Sequence, residues 1–146
     1  MTTVLLVRHG RTASNASGTL AGRTPGLVLD EKGVEQAARA AERIAAVRLD
    51  AIVSSPLERT VETAQAILAG QAAAPGRRRA SRKAEEIHRD DRFIECDYGA
   101  WTGEELKSLA REPLWKVVQS HPSAAIFPQG ESMAQMQARA VAGLRA

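Results

Sequence analysis

Cysteine is all but missing from this chain. The single Cys96 excludes an intrachain disulfide framework and a cysteine-rich zinc site. It is expected to act as a small packing residue. Long hydrophobic runs are missing too: nothing approaches the ~18 apolar residues of a membrane span. The N-terminal run Val4-Leu5-Leu6-Val7 is too short for a signal peptide, has no basic region before it, and is followed at once by Arg8 and His9. A cytoplasmic location and no membrane partner are therefore expected. Aromatics are only 3% of residues, too few to interleave a nucleic-acid surface. The basic cluster Arg77, Arg78, Arg79, Arg82 and Lys83 has only Phe93 nearby and runs into Glu85, Glu86, Asp90 and Asp91. It reads as a solvated connection rather than a nucleic-acid patch. No internal repeat is visible.

What remains describes one globular domain, residues 1–146. The hydrophobic content of 44% excludes a disordered or fibrous chain. A formal charge of +3 suits an anionic small molecule.

Val4–Val7 is apolar without alternation, the pattern of a strand covered on both faces. Residues 10–30, rich in Gly, Thr, Ser and Asn, read as a loop. From Glu31 to Arg48, Val34, Ala37, Ala38, Ala41, Ile44 and Ala45 recur at helical spacing. Asp50–Val53 reads as a second buried strand. Ser55-Pro56-Leu57-Glu58 then predicts a helix, with Ser55 as cap, Pro56 in the first turn and Glu58 closing a capping box. Leu57, Val61, Ala64 and Leu68 form its apolar stripe, and Gly70 is expected to end it. This βαβα start implies a parallel sheet with right-handed crossovers. A third strand is expected near Asp91–Glu95, and short helices over Thr102–Ala110 and Leu114–Ser120. A last helix opens at the capping box Ser132–Gln135 and is striped by Met133, Met136, Ala140, Val141 and Leu144.

In open parallel sheets, ligands sit beyond the carboxyl ends of the strands. Arg8 and His9 follow the first strand directly. Arg59 lies in the first turn of the helix after the second, where unpaired N–H groups and the dipole favour phosphate. Two guanidiniums, an imidazole and a helix start converging on one crevice describe an anion site.

Longer stretches carry a resemblance. Leu5-Leu6-Val7-Arg8-His9-Gly10-Arg11-Thr12-Ala13-Ser14-Asn15 resembles the opening of the histidine phosphatase superfamily, the phosphoglycerate-mutase-like proteins. Leu29–Ala37 looks like that family's first-helix entry, and Ser54–Ala64 is similar to its second motif. Glu95-Cys96-Asp97-Tyr98-Gly99-Ala100-Trp101-Thr102-Gly103 resembles the third, and Pro128-Gln129-Gly130-Glu131-Ser132 the fourth. The motifs stand in family order, and the chain looks like the small actinobacterial phosphatase and phosphomutase members.

The resemblance implies an α/β three-layer sandwich with a mostly parallel sheet. It implies His9 as nucleophile, forming a phosphohistidine that water cleaves. It implies Arg8 and Arg59 as planar, always-charged forks on the phosphate, and Glu95 as proton donor. Gly10, Asn15 and Gly22 are the implied substrate-binding residues. Such a site works by positioning and electrostatics, with no metal and no cofactor. The partner is a small phosphorylated substrate, and a homodimer is an open expectation.

The family also carries a second histidine in a later Ser-His-Gly motif. Here only His88 and His121 remain, and neither stands in that place: His88 precedes Glu95, and His121 is followed by Pro122 and precedes the Pro128–Ser132 motif. We therefore expect a member lacking its C-terminal strands, with exposed ladder groups and an uncovered apolar face at the first strand. The expected activity is metal-independent hydrolysis of a phosphate ester. Alternatives are a phosphoglycerate-type mutase and a catalytically impaired phosphate-binding protein. The chain has Glu95-Cys96-Asp97-Tyr98-Gly99 where mutases usually carry Glu-Arg-His-Tyr-Gly, which favours the phosphatase.

Overall fold

The computed structural model describes residues 3–73, 84 and 86–146. The basic cluster from Arg77 to Lys83 lies outside these residues. The elements run in the order α1 (Ala13–Ser17), α2 (Glu31–Ile44), β1 (Ile52–Ser54), α3 (Glu58–Ala73), β2 (Ile87–Arg89), α4 (Leu106–Leu109), α5 (Pro113–Ser120) and α6 (Met133–Arg145). The fold is α/β. β1 and β2 pair in parallel, with Ile52 opposite Ile87 and Ser54 opposite Arg89. α2 and α3 pack together on the Ile52 face, burying Ala41, Ile52, Ala64 and Ile67 in one core. Val53 points the other way and is 52% exposed, so the buried strand expected at Asp50–Val53 is covered on one face only.

Each end of these helices has a local cause. The Asp30 side chain caps α2 by accepting from the Gly33 N–H, and α6 carries the expected box, in which Ser132 and Gln135 satisfy each other's backbone amides. The box expected at Ser55 does not form. The Leu57 carbonyl accepts from Thr60 and Val61, the Ser55 carbonyl takes the Thr60 hydroxyl, and Glu58 reaches across to the Gly26 N–H. The helix therefore starts at Glu58, three residues after the expected cap. Gly70 does not stop it either. Instead it lets α2 approach, since a Cβ there would sit 3.1 Å from that of Ala41.

Other expectations are corrected. Val4–Val7 belongs to no ladder, and Val4, Leu5, Leu6 and Val7 are 56%, 46%, 82% and 44% exposed. A strand buried on both faces needs a neighbour about 4.8 Å away. Among the described residues, β1 pairs only with β2. The loop of residues 10–30 contains the short helix α1, boxed by Thr12 and Asn15. The third strand is Ile87–Arg89, displaced from Asp91–Glu95 because the Asp90 side chain caps a 3₁₀ turn over Asp91–Phe93. On α2, Val34 is exposed while Gly33, Ala37 and Ala41 are buried, so the inward stripe is rotated toward the smallest side chains.

A second core holds the other half of the chain. Cys96, Trp101, Leu109 and Phe127 are buried together, with Met133 and Met136 of α6 packed against them. The Tyr98 and Trp101 rings meet Phe127 edge-on at 4.8 and 5.4 Å. Burial pushes the Cys96 thiol up to about 12, so it stays protonated and packs as expected.

Candidate active site

Arg8, His9, Asn15, Gly22, Arg59 and Glu95 all line one cleft of about 370 Å³, together with Thr12, Thr19, Leu20, Ala21, Tyr98 and Leu106. Six of the seven residues singled out by the sequence are thus brought together from positions up to 87 apart in the chain. The seventh, Gly10, is buried and does not line it. Its N–H donates to the Thr63 hydroxyl at 3.1 Å, and that hydroxyl donates to the Arg59 carbonyl at 2.8 Å. A Cβ on Gly10 would overlap the Gly33 carbonyl. Gly10 thus docks the His9 backbone onto α2 and α3, next to Arg59.

His9 Nδ1 lies 2.7 Å from the Gly10 carbonyl. With Nδ1–H donating there, Nε2 keeps the free lone pair. Burial, reinforced by the charges of Arg59 and Arg8, holds the His9 pKa below the ordinary imidazole range, against the Gly10 bond and Glu95, which raise it. A neutral imidazole at neutral pH is the form that can attack phosphorus.

Arg59, the second residue of α3, is 2% exposed. Its Nη2 donates to the Gly22 carbonyl at 2.8 Å. Its Nη1 is buried and has no hydrogen-bond partner among the described residues. Desolvation pulls this guanidinium below its ordinary pKa, while Glu95 and Glu58 support its charge. A buried cationic N–H without a partner is costly; in a residue lining a cleft, an anion is what would satisfy it. Asn15 uses its amide oxygen to accept from the Thr12 N–H and hydroxyl, each at 3.1 Å, which leaves the NH₂ end as its donor.

Glu95 follows the Asp91–Phe93 turn, outside any helix or strand. Its Oε1 accepts from the Cys96 N–H at 2.9 Å and the Tyr98 hydroxyl at 3.3 Å. Burial, together with the Glu95 charge, raises the Tyr98 phenol, which therefore remains a donor. Behind Glu95, the third and fourth sequence motifs lie backbone against backbone. The Ala100 N–H bonds the Pro128 carbonyl and the Glu131 N–H bonds the Asp97 carbonyl. Gly99 and Gly130 permit this approach, because a Cβ on either would overlap the opposite main chain.

Neither other histidine joins the cleft. His88 sits exposed on β2 beside Glu86. His121 caps the end of α5, exposed, with Nδ1 3.0 Å from the Ser120 hydroxyl. The sequence reading missed Thr63, Tyr98, Arg23 and Arg139, which hold the site together. Tyr98 lies within the third motif and Arg23 follows Gly22, but only the folded chain shows what they touch.

The fold and cleft define an α/β protein with a histidine and two arginines gathered in one cleft. The chain belongs to the histidine phosphatase superfamily (branch 1), whose family model matches residues 4–146. It is 34% identical over 145 residues to phosphoserine phosphatase 1 of Hydrogenobacter thermophilus, covering 95% of this chain and 61% of that protein. It is 33% identical to the "Probable phosphoglycerate mutase GpmB" of Proteus mirabilis, covering 99% and 62%. Among solved structures, a mycobacterial glucosyl-3-phosphoglycerate phosphatase complexed with VO3 superposes with a TM-score of 0.75 at 26% identity, covering 94% of this chain and 61% of that one. The chain therefore spans about three fifths of the length of these relatives.

Proposed function

We propose that this chain is a phosphomonoesterase working through a phosphohistidine on His9. One observation carries the reading: Arg59, whose buried Nη1 has no partner among the described residues, lines the same cleft as a His9 held below its ordinary pKa. His9 Nε2 attacks phosphorus as the P–O ester bond breaks. The Glu95 carboxyl gives its proton to the departing alkoxide. Water then attacks the phosphohistidine, Glu95 takes the water's proton, and inorganic phosphate leaves. Arg8 and Arg59, with the Asn15 amide, hold the phosphoryl oxygens and balance their charge, the kind of electrostatic help whose loss costs about 10²–10³ in rate per donor. The relatives named as a phosphoserine phosphatase and a glucosyl-3-phosphoglycerate phosphatase support hydrolysis.

A second reading rests on a specific feature. His9 is the only one of the three histidines in the cleft, so the chain on its own could hold a phosphate ligand with little turnover. Incubation with a ³²P-labelled phosphate ester separates the two. An acid-labile phosphoenzyme that disappears in His9→Asn establishes the esterase. Stoichiometric phosphate binding without label transfers the assignment to the binding protein.

A further inference from the structure

We infer that Glu131, Arg23 and Arg139 form a clamp that positions Glu95, acting through its main chain from outside the cleft lining. The inference rests on the reading of Glu95 as proton donor, and deepens it.

Residues 95–98 belong to no helix or strand, so regular backbone pairing does not hold Glu95 in place. Two guanidiniums do this instead. Arg23 Nε donates to the Glu95 carbonyl at 2.8 Å and Arg139 Nη2 to the same oxygen at 3.1 Å. Arg139 Nη1 also donates to the carbonyls of Ile94 at 2.6 Å and Arg92 at 3.0 Å.

Both arginines converge on one carboxylate. Glu131 Oε1 accepts from Arg23 Nη2 at 2.9 Å and from Arg139 Nη2, while Oε2 accepts from Arg139 Nε at 3.1 Å. The same Oε1 accepts the Asp97 N–H at 2.9 Å. One carboxylate and two arginines thus tie the backbone of Arg92, Ile94, Glu95 and Asp97. The Arg139 fork is bidentate, the strongest and most directional form of such a pair.

The clamp reaches the phosphate side as well. Arg23 follows Gly22, whose carbonyl takes Arg59 Nη2. A single chain of contacts therefore runs from Arg59 through Gly22 and Arg23 to Glu95. Misplacing a reacting group by ~1 Å can cost about 10²-fold in rate, and this network sets where the Glu95 backbone sits.

The test exploits leaving-group chemistry. An alkyl phosphate needs its alkoxide protonated, whereas p-nitrophenolate leaves without help. Arg139→Lys keeps the charge and removes the fork, and Arg23→Lys does the same without touching α6; thermal melts check that each variant folds. Each is expected to lower kcat/KM, which ends at departure of the leaving group and so excludes the shared dephosphorylation step, by about 10- to 100-fold on an alkyl phosphate, to change kcat/KM on p-nitrophenyl phosphate less than about threefold, and to add nothing to Glu95→Gln on the alkyl ester. Equal losses on both esters, or no loss on either, overturn the clamp. If the unaltered chain hydrolyses neither ester, the proposed function fails separately. The clamp is then read from the ¹³C carboxyl resonance of Glu95: a shift in Arg139→Lys supports it, and an unmoved resonance overturns it.

Discussion

Arg59 concentrates the cost and the purpose of this site in one side chain. It is buried at the start of α3, keeps one bond to Gly22, and leaves Nη1 unpaired among the described residues. Burying a guanidinium without full pairing is unfavourable, and replacing such a charge with an apolar group is often neutral or stabilising. Arg59→Met should therefore leave the Tm unchanged or higher, and should abolish the stabilisation expected when inorganic phosphate is added to the unaltered chain. Thermal melts with and without phosphate check both halves. His9 supports a second expectation. Because burial and two arginines lower its pKa, the neutral ring persists further into acid than a free imidazole would. Its C2 proton in NMR should titrate with a midpoint below that of a free imidazole. Arg8, His9 and Arg59 were legible in the sequence because each stands in a short stretch that resembles a family motif, not because a strand precedes Arg8 and His9. The missing partner on Nη1 was not, since it depends on what the rest of the fold leaves unoccupied.

At the level of elements, caps were easier to read than strands. The Ser132–Gln135 box forms as its spacing predicts, because a cap needs only residues three apart. Ser132→Ala should cost about 1 kcal/mol, measured by urea unfolding. Glu131, one residue earlier, titrates with a sign that can be stated. Its bonds with Arg139 hold the carboxyl below its ordinary pKa, despite the opposing effect of burial. The folded-state pKa is thus depressed, so the contribution is present above the unfolded carboxyl pKa and is lost as pH falls through the folded one. In Glu131→Gln the acid limb of the stability profile should be shallower, as followed by denaturant midpoints from neutral to acid pH. The Ser55 box failed for a physical reason also visible here: the Thr60 hydroxyl and the Leu57 carbonyl offered a competing start.

Across the whole molecule, stability is placed in two cores and not in the N-terminal apolar run. Trp101 is 7% exposed among Phe127, Leu109 and Cys96, whereas Leu6 is 82% exposed. Trp101→Ala should cost about 3–5 kcal/mol. Leu6→Ser should stay within about 0.5 kcal/mol, and should reduce any self-association that unpaired backbone and exposed apolar side chains promote. Equilibrium unfolding and light scattering distinguish these outcomes. Local sequence was sufficient for the family, for the α/β class, for the Ser132 cap and for the choice of Arg8, His9, Asn15, Arg59 and Glu95 as residues of one cleft. Those features depend on residue type and short spacing. Only the tertiary structure decided that Val4–Val7 stands outside any ladder, that Gly10 serves packing rather than the cleft, and that Glu131 holds Glu95 through two arginines. Each of these depends on groups far apart in the chain, so short-range pattern could not specify them.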